Sequence, residues 1–304
     1  MKFVRSVPIA ICGLSLGLAV LGNLLLPYGA EIRYICGILS AAVLLVFLLK
    51  VVLDFPHTNE ELKTPVPLSV LPTATMSFML LCAYIRPFVG VATVYLWYTA
   101  AIIQVYIMLL FFMRFILNFK LDAVFPSWFI VFVGIVVVSV TAPAMGARSI
   151  GQAAFYVGFV LYFVALALIL YKMTKRKYIL EPLRLTAAIF AAPMSLCIVG
   201  YFSSFEQRNE TFVYVMLTIA VISYIYASVK MLYMLNIKFY PTYSSFTFPY
   251  VISAIAFRLG NDFLVERGVS FFAPVAYISM WLAVAIVIYV FVHYIKFFRF
   301  LLQF

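Results

Sequence analysis

The chain has 304 residues, 67% of them hydrophobic and only 10% charged, with a mean hydropathy of +1.15. A soluble domain carries about 25% charged residues, and a globule of this size cannot bury so much apolar surface and stay in water. Lipid is therefore the solvent for most of the chain, and its net charge of +11 has to be explained at a membrane rather than on a nucleic acid.

In chain order the apolar stretches predict ten spans, 7–26, 32–53, 65–85, 89–113, 125–145, 149–171, 183–203, 211–235, 241–260 and 269–295, each near or above the ~20 residues a membrane helix needs. The first follows Lys2 and Arg5 as a secretory signal would. Its apolar run is longer than a signal's core, and it is read as a retained span. The longest polar stretch, Asp54 to Thr64, is only a loop, so residues 1–304 are read as a single transmembrane domain.

Pro8, Pro67, Pro126, Pro182 and Pro241 recur at intervals of 59, 59, 56 and 59 residues. Each stands near the start of one apolar stretch, and a second stretch follows. A fixed period of this kind signals an array of one structural unit, here a transmembrane helical hairpin. The expected fold is an all-α integral membrane protein of ten helices arranged as five hairpin repeats.

Lys and Arg set the orientation. The N-terminus, the even-numbered loops and the C-terminus hold 15 of the 21, whereas the odd-numbered loops hold 6: Arg33, Arg86, Arg148, Arg208, Arg258 and Arg267. Both termini are therefore expected in the cytoplasm, and the cluster Lys172–Lys177 is expected at anionic headgroups. The four cysteines (Cys12, Cys36, Cys82, Cys197) fall within or at the edges of spans and imply no disulfide framework. Asn209-Glu210-Thr211 is a formal glycosylation sequon, relevant only in a eukaryotic source.

Helix breakers divide the spans into two kinds. The prolines deep inside spans are Pro72, Pro143, Pro193 and Pro249, in spans three, five, seven and nine; span one carries Gly13, Gly17 and Gly22 instead. An interior proline removes a backbone hydrogen bond, and in lipid the freed carbonyl must be covered by protein or a wet cavity. Five kinked helices lining a pore within five regular outer ones satisfy this. Apart from Arg184 at the start of span seven, the odd spans hold no charged side chain before Arg258. Pore-lining candidates are Ser15, Thr73, Thr75, Ser139, Thr141, Ser195, Ser245 and Thr247, with Arg86, Arg148 and Arg258 as cations at the mouths. A neutral hydroxyl-bearing lumen without acidic rings suits small anions better than cations or protons.

Asp54, His57, Glu60 and Glu61 gather in one loop at a spacing that matches no metal motif, and neither a nucleotide-binding loop, a two-histidine motif nor a nucleophile elbow is found. The reading therefore carries no catalytic residue, no metal and no cofactor.

Five strings on the odd spans resemble one family. Gly13-Leu14-Ser15-Leu16-Gly17-Leu18-Ala19 is similar to a first-helix glycine motif. Thr64-Pro65-Val66 with Leu71-Pro72-Thr73-Ala74-Thr75-Met76 is similar to the start of a third helix. Phe125-Pro126-Ser127-Trp128-Phe129 fits the fifth, Glu181-Pro182-Leu183-Arg184-Leu185-Thr186 with Ala192-Pro193 the seventh, and Phe246-Thr247-Phe248-Pro249 the ninth. Together they resemble the tellurite-resistance/dicarboxylate transporter family, which includes bacterial TehA-type proteins and the slow anion channels of plant guard cells. The resemblance implies a homotrimer with one pore per protomer and a ninth-helix phenylalanine, here Phe248, that plugs the pore. The expected function is passive conduction of small monovalent anions such as chloride and nitrate, in a bacterial inner membrane. The alternative is a secondary carrier exporting tellurite, sulfite or C4-dicarboxylates, with or without protons. A membrane-embedded enzyme would need paired polar residues deep in the spans, and the sequence presents none.

Overall fold

The computed structural model describes residues 5–175 and 181–302; Lys2, Arg176 and Lys177, counted above for orientation, lie outside the described residues. Every regular element among the described residues is helical. In order these are α1 (Ile11–Leu25), α2 (Ala30–Leu53), α3 (Phe55–Glu61), α4 (Pro65–Val70), α5 (Pro72–Val89), α6 (Ala92–Phe111), α7 (Trp128–Val133), α8 (Val136–Thr141), α9 (Arg148–Lys175), α10 (Glu181–Arg184), α11 (Ala192–Ser204), α12 (Glu210–Met234), α13 (Thr247–Val265) and α14 (Ala273–Leu302), with short tighter turns between some of them.

Eight helical runs among the described residues are long and apolar enough to cross a membrane, and the chain is an integral membrane protein. The two remaining predicted spans are helical but interrupted. Span five falls on α7, α8 and a 3-10 turn at Ala142–Met145, and span nine on a 3-10 stretch at Pro241–Phe246 that leads into α13. The cause is local: Gly134 and Ile135 separate α7 from α8, and glycine is a poor helix former.

The prolines mark where the helix winding changes. Pro72 opens α5 directly after α4, and Pro143 sits in the turn that ends α8. Pro193 stands in the first turn of α11 after a seven-residue 3-10 stretch at Leu185–Ala191, and Pro249 stands in the first turn of α13. Proline has no N–H to give, so each position leaves a carbonyl one turn earlier without its helical donor. At Pro143 that carbonyl belongs to Ser139, and the Ser204 hydroxyl donates to it at 2.7 Å. Protein covers the gap that lipid could not.

Burial follows the breaks. The runs Ile11–Tyr28, Pro65–Val89 and Glu181–Ser204 are 72%, 67% and 89% buried within the protein, whereas those built on α2, α6, α9, α12 and α14 are 22–33% buried. The buried elements touch in a cycle: α1 packs on α5 and α13, α5 on α8, α8 on α11, and α11 on α13. Each long exposed helix lies against a member of that cycle, α2 on α1, α6 on α5, α9 on α8, α12 on α11 and α14 on α13.

Short turns join these partners. Gly29, Gly90, Gly146 and Gly268 have φ of 151°, 72°, 73° and 78°, and each reverses the chain between a buried segment and the exposed helix that follows it, a conformation only glycine adopts without strain. The corresponding turn before α12 uses Asn209, whose side chain accepts from the Phe212 N–H at 2.9 Å as an N-cap. At the opposite end, the fully buried Lys50 ammonium donates to the Val7 carbonyl at 2.6 Å and to both oxygens of Glu61 at 2.8 and 2.7 Å. It ties the entry to α1, the end of α2 and the loop helix α3 together. Lys172 turns inward, donating to the carbonyls of Asp122 and Val124 with its ammonium 3.7 Å from the Phe125 ring centre. All four cysteines are free and buried.

Candidate permeation pathway

Two cavities lie inside the cycle of buried helices. The near cavity, of about 50 Å³, is at the N-terminal ends of the lining segments and draws on all five: Gly13, Thr73, Gly134, Pro193 and Phe248 are among its walls. The far cavity, of about 120 Å³, is at their C-terminal ends and also draws on all five, through Val20, Leu80, Val137, Val199 and Ile255 among others. Phe248 and Leu196 line both cavities. The phenylalanine ring and the leucine side chain thus stand where one cavity ends and the other begins, and Phe248 keeps 8% of its surface exposed there.

The backbone around Phe248 explains its position. The winding changes at Thr247, one residue before it, and Pro249 follows it. Gly17 lets α1 close on this spot: a Cβ there would lie 2.5 Å from the Thr247 side chain and 3.2 Å from the Phe248 nitrogen. Thr247 Oγ1 lies 2.9 Å from the Gly13 carbonyl oxygen and 2.7 Å from that of Ser244, which fixes the turn against α1. Phe246, two residues earlier, is buried against Tyr243, with ring centres 5.2 Å apart, and lines neither cavity.

The predicted lining residues separate into two groups. Thr73 and Ser245 line the near cavity, joined by Thr186, Thr242 and Ser244. The hydroxyls of Thr73, Ser245, Thr186 and Thr242 donate to the carbonyls of Val70, Leu185, Leu183 and Pro182 at 2.6–2.8 Å. A hydroxyl has one proton, so these groups have to give up a backbone bond before they can donate to an anion.

Ser15, Thr75, Ser139, Thr141, Ser195 and Thr247 line neither cavity and join neighbouring segments instead. Ser15 Oγ is 2.6 Å from Ser77 Oγ and 2.9 Å from the Ser40 carbonyl oxygen, linking α1 to α5 and α2. Ser139 donates to the Gly200 carbonyl at 3.0 Å, Thr141 accepts from the Trp97 indole at 2.7 Å, and Ser195 meets Ser253 at 3.0 Å. The Thr75 hydroxyl meets Gln104 Oε1 on α6.

The three predicted cations also part. Arg258 lines the far cavity and donates from Nη1 to the Leu24 carbonyl at 2.9 Å. Arg148 is ion-paired with Glu206, and Arg86 Nε is buried without a hydrogen-bond partner; neither residue lines a cavity. Two residues that the sequence reading passed over take part: Leu196, three positions after Pro193, and Asn23, beside Arg258 in the far cavity. An asparagine near the end of an otherwise apolar span was the available signal for the second.

The carboxylates of the first polar loop are engaged by neighbouring side chains: Asp54 with Arg5 at 3.3 Å, Glu60 with Lys63 at 2.6 Å, and Glu61 with Lys50 at 2.7 Å and with the His57 ring at 3.2 Å. A family model described as SLAC1, voltage-dependent anion channel, matches residues 6–295. No curated protein matches the chain.

Proposed function

The chain belongs to the voltage-dependent anion channel family, and on that premise we propose that it conducts small monovalent anions, chloride and nitrate among them, passively through a path that Phe248 plugs. In this reading the ten spans form five hairpins, the cycle of buried segments surrounds the path, the near cavity opens to the cytoplasm with both termini, and the protein works as a homotrimer in a bacterial inner membrane. The observation that carries the reading is that Phe248 lines both cavities. An apolar ring at a narrowing excludes water, and an anion cannot cross without its hydration.

Passive transport is supported by the linings. Arg258 is the one side chain among the cavity-lining residues that carries a charge at neutral pH, and an arginine does not exchange its proton there. A proton-coupled carrier of tellurite, sulfite or dicarboxylates needs a titrating group in the membrane.

Phe248→Ala is expected to raise anion current severalfold or more at matched surface density, while Phe246→Ala, at a ring packed on Tyr243 and lining neither cavity, leaves current flat and lowers stability. Current recording with anion substitution measures this. Equal currents from Phe248→Ala and the parent would remove the plug, and a reversal potential that follows sodium, potassium or the proton gradient would remove the channel reading.

A further inference from the structure

We propose that the far cavity holds a binding site for one small monovalent anion, formed by the guanidinium of Arg258 and the side-chain NH₂ of Asn23, with Arg33 as the positioning residue that orients the amide. This rests on the anion-channel reading and places a site on its path.

Arg258 and Asn23 are the polar side chains in a lining otherwise made of valine, leucine, isoleucine and Phe248. Arg258 commits one N–H to the Leu24 carbonyl, and a guanidinium has five. Among the described residues no carboxylate lies within ion-pair distance of it. Two other arginines on this side contrast with it: Arg148 is paired with Glu206, and Arg267 with Glu210 at 2.6 Å, while Arg33, Arg86 and Arg208 line neither cavity. The charges of Arg148 and Arg267 are neutralised locally, whereas that of Arg258 is presented to the cavity.

The amide is oriented by a network behind it. Arg33 Nε donates to Asn23 Oδ1 at 3.0 Å, so the oxygen is taken and the NH₂ is the end left to serve the cavity. Arg33 is itself held, its guanidinium carbon 4.2 Å from the centre of the Tyr84 ring, while the Tyr84 hydroxyl donates to the Ala19 carbonyl. Gly22 makes this crowding feasible, since a Cβ there would overlap the Tyr84 hydroxyl and lie 2.9 Å from the Arg33 carbonyl oxygen. Three residues outside the lining thus fix one rotamer of the fourth.

The chemistry selects the ligand. The site offers donors and one formal positive charge, with no carboxylate to attract a cation. Its 120 Å³ accommodates a halide or nitrate with a few waters, each water occupying about 30 Å³. One cation in an apolar wall does not repay the dehydration of a doubly charged oxyanion. Arg33 adds positive potential from behind, but its Nε proton is committed to Asn23.

The test uses the purified parent protein, with Phe248 intact, in nanodiscs. Chlorine NMR line broadening reports chloride binding without conduction, with nitrate and sulfate as competitors. The parent is expected to broaden the chloride line, nitrate to compete and sulfate to compete weakly. Arg258→Gln is expected to weaken chloride binding roughly tenfold or more, as loss of a charge-assisted contact does. Arg258→Lys keeps the charge and should retain most binding, and this pair separates loss of the site from loss of the fold. Arg33→Ala should weaken binding about threefold and Asn23→Asp should abolish it. Both variants and the parent are compared by size-exclusion profile. In the Phe248→Ala background the same order should appear in the half-saturating chloride concentration for flux from the far side. Unchanged binding in correctly assembled Arg258→Gln and Asn23→Asp would overturn the site even if Phe248→Ala conducts anions. Chloride binding that follows the predicted order without any anion flux in Phe248→Ala would leave the site standing and remove the channel reading.

Discussion

The runs Ala92–Ile116 and Glu181–Ser204 are of similar length and both are strongly apolar, yet they are built oppositely. The first is one α-helix that ends in a π turn at Phe112–Ile116, and 22% of it is buried; the second passes from α10 through a 3-10 stretch to α11, and 89% of it is buried. The difference is one of solvent. A helix facing hydrocarbon must satisfy every backbone group within itself, so it keeps a regular ladder. A helix surrounded by other helices can lose ladder bonds to proline, because neighbouring hydroxyls and carbonyls replace them. Apart from the π turn that ends the exposed run Ala92–Ile116, irregular backbone within these two runs lies in the interior, where it also shapes the near cavity.

The sharpest way to break this comparison is to exchange the backbones. Ile103→Pro, on the lipid face of α6, is expected to cost at least about 3 kcal/mol from the lost bond and ring clash, plus the exposed carbonyl. Size-exclusion chromatography should show little assembled protein. Pro193→Ala in Glu181–Ser204 is expected to change stability by less than about 1 kcal/mol, since alanine is at least as good a helix former. Normal assembly of Ile103→Pro would show that the exposed helices are not bound by the rule.

A second contrast sets close approach against lipid contact. Gly17→Ala adds one methyl group where Thr247 and the Phe248 backbone already stand, and overpacking of this kind costs about 1–3 kcal/mol. Ile102→Ala removes three carbons from a residue that is 68% exposed and should cost less than about 0.5 kcal/mol. Thermal unfolding in detergent compares the two; a reversed order would mean that the α1–α13 contact is loose.

A third contrast, with a small expected effect, concerns Gln104, which is fully buried although it belongs to an exposed helix. Its Oε1 meets the Thr75 hydroxyl, and its Nε2 has no hydrogen-bond partner. Gln104→Leu is expected to cost only about 0.6 kcal/mol, the usual value for a polar contact between membrane helices. A loss above about 2 kcal/mol in the same assay would show that this amide, rather than apolar packing, attaches α6 to α5.

The backbone was more legible than the side chains. Proline acts through its own missing N–H, so Pro72, Pro143, Pro193 and Pro249 mark changes of winding whatever surrounds them. The direction of a serine on a helix has no such marker when both the lipid side and the protein side are apolar. Ser15, Ser139 and Ser195 therefore looked like lining residues, and their hydroxyls instead reach Ser77, Gly200 and Ser253. Leu196 was hidden for the same reason, since a leucine at the contact of two cavities is indistinguishable in sequence from one against lipid. The charges were partly legible: Arg148 and Arg258 read alike, and only their neighbours separate them, because Glu206 neutralises one and, among the described residues, no carboxylate meets the other.

A single aromatic layer between two cavities also concerns the membrane potential. When both cavities hold water, the voltage no longer falls evenly across the ~30 Å of hydrocarbon; it is concentrated on the thickness of Phe248 and Leu196. In the proposed path an anion crossing that layer would experience most of the field, about 2.3 kcal/mol per 100 mV. The phenylalanine ring carries no charge, so its displacement moves no gating charge. If Phe248 plugs the path as proposed, voltage at this layer acts through the permeating anion rather than through the ring.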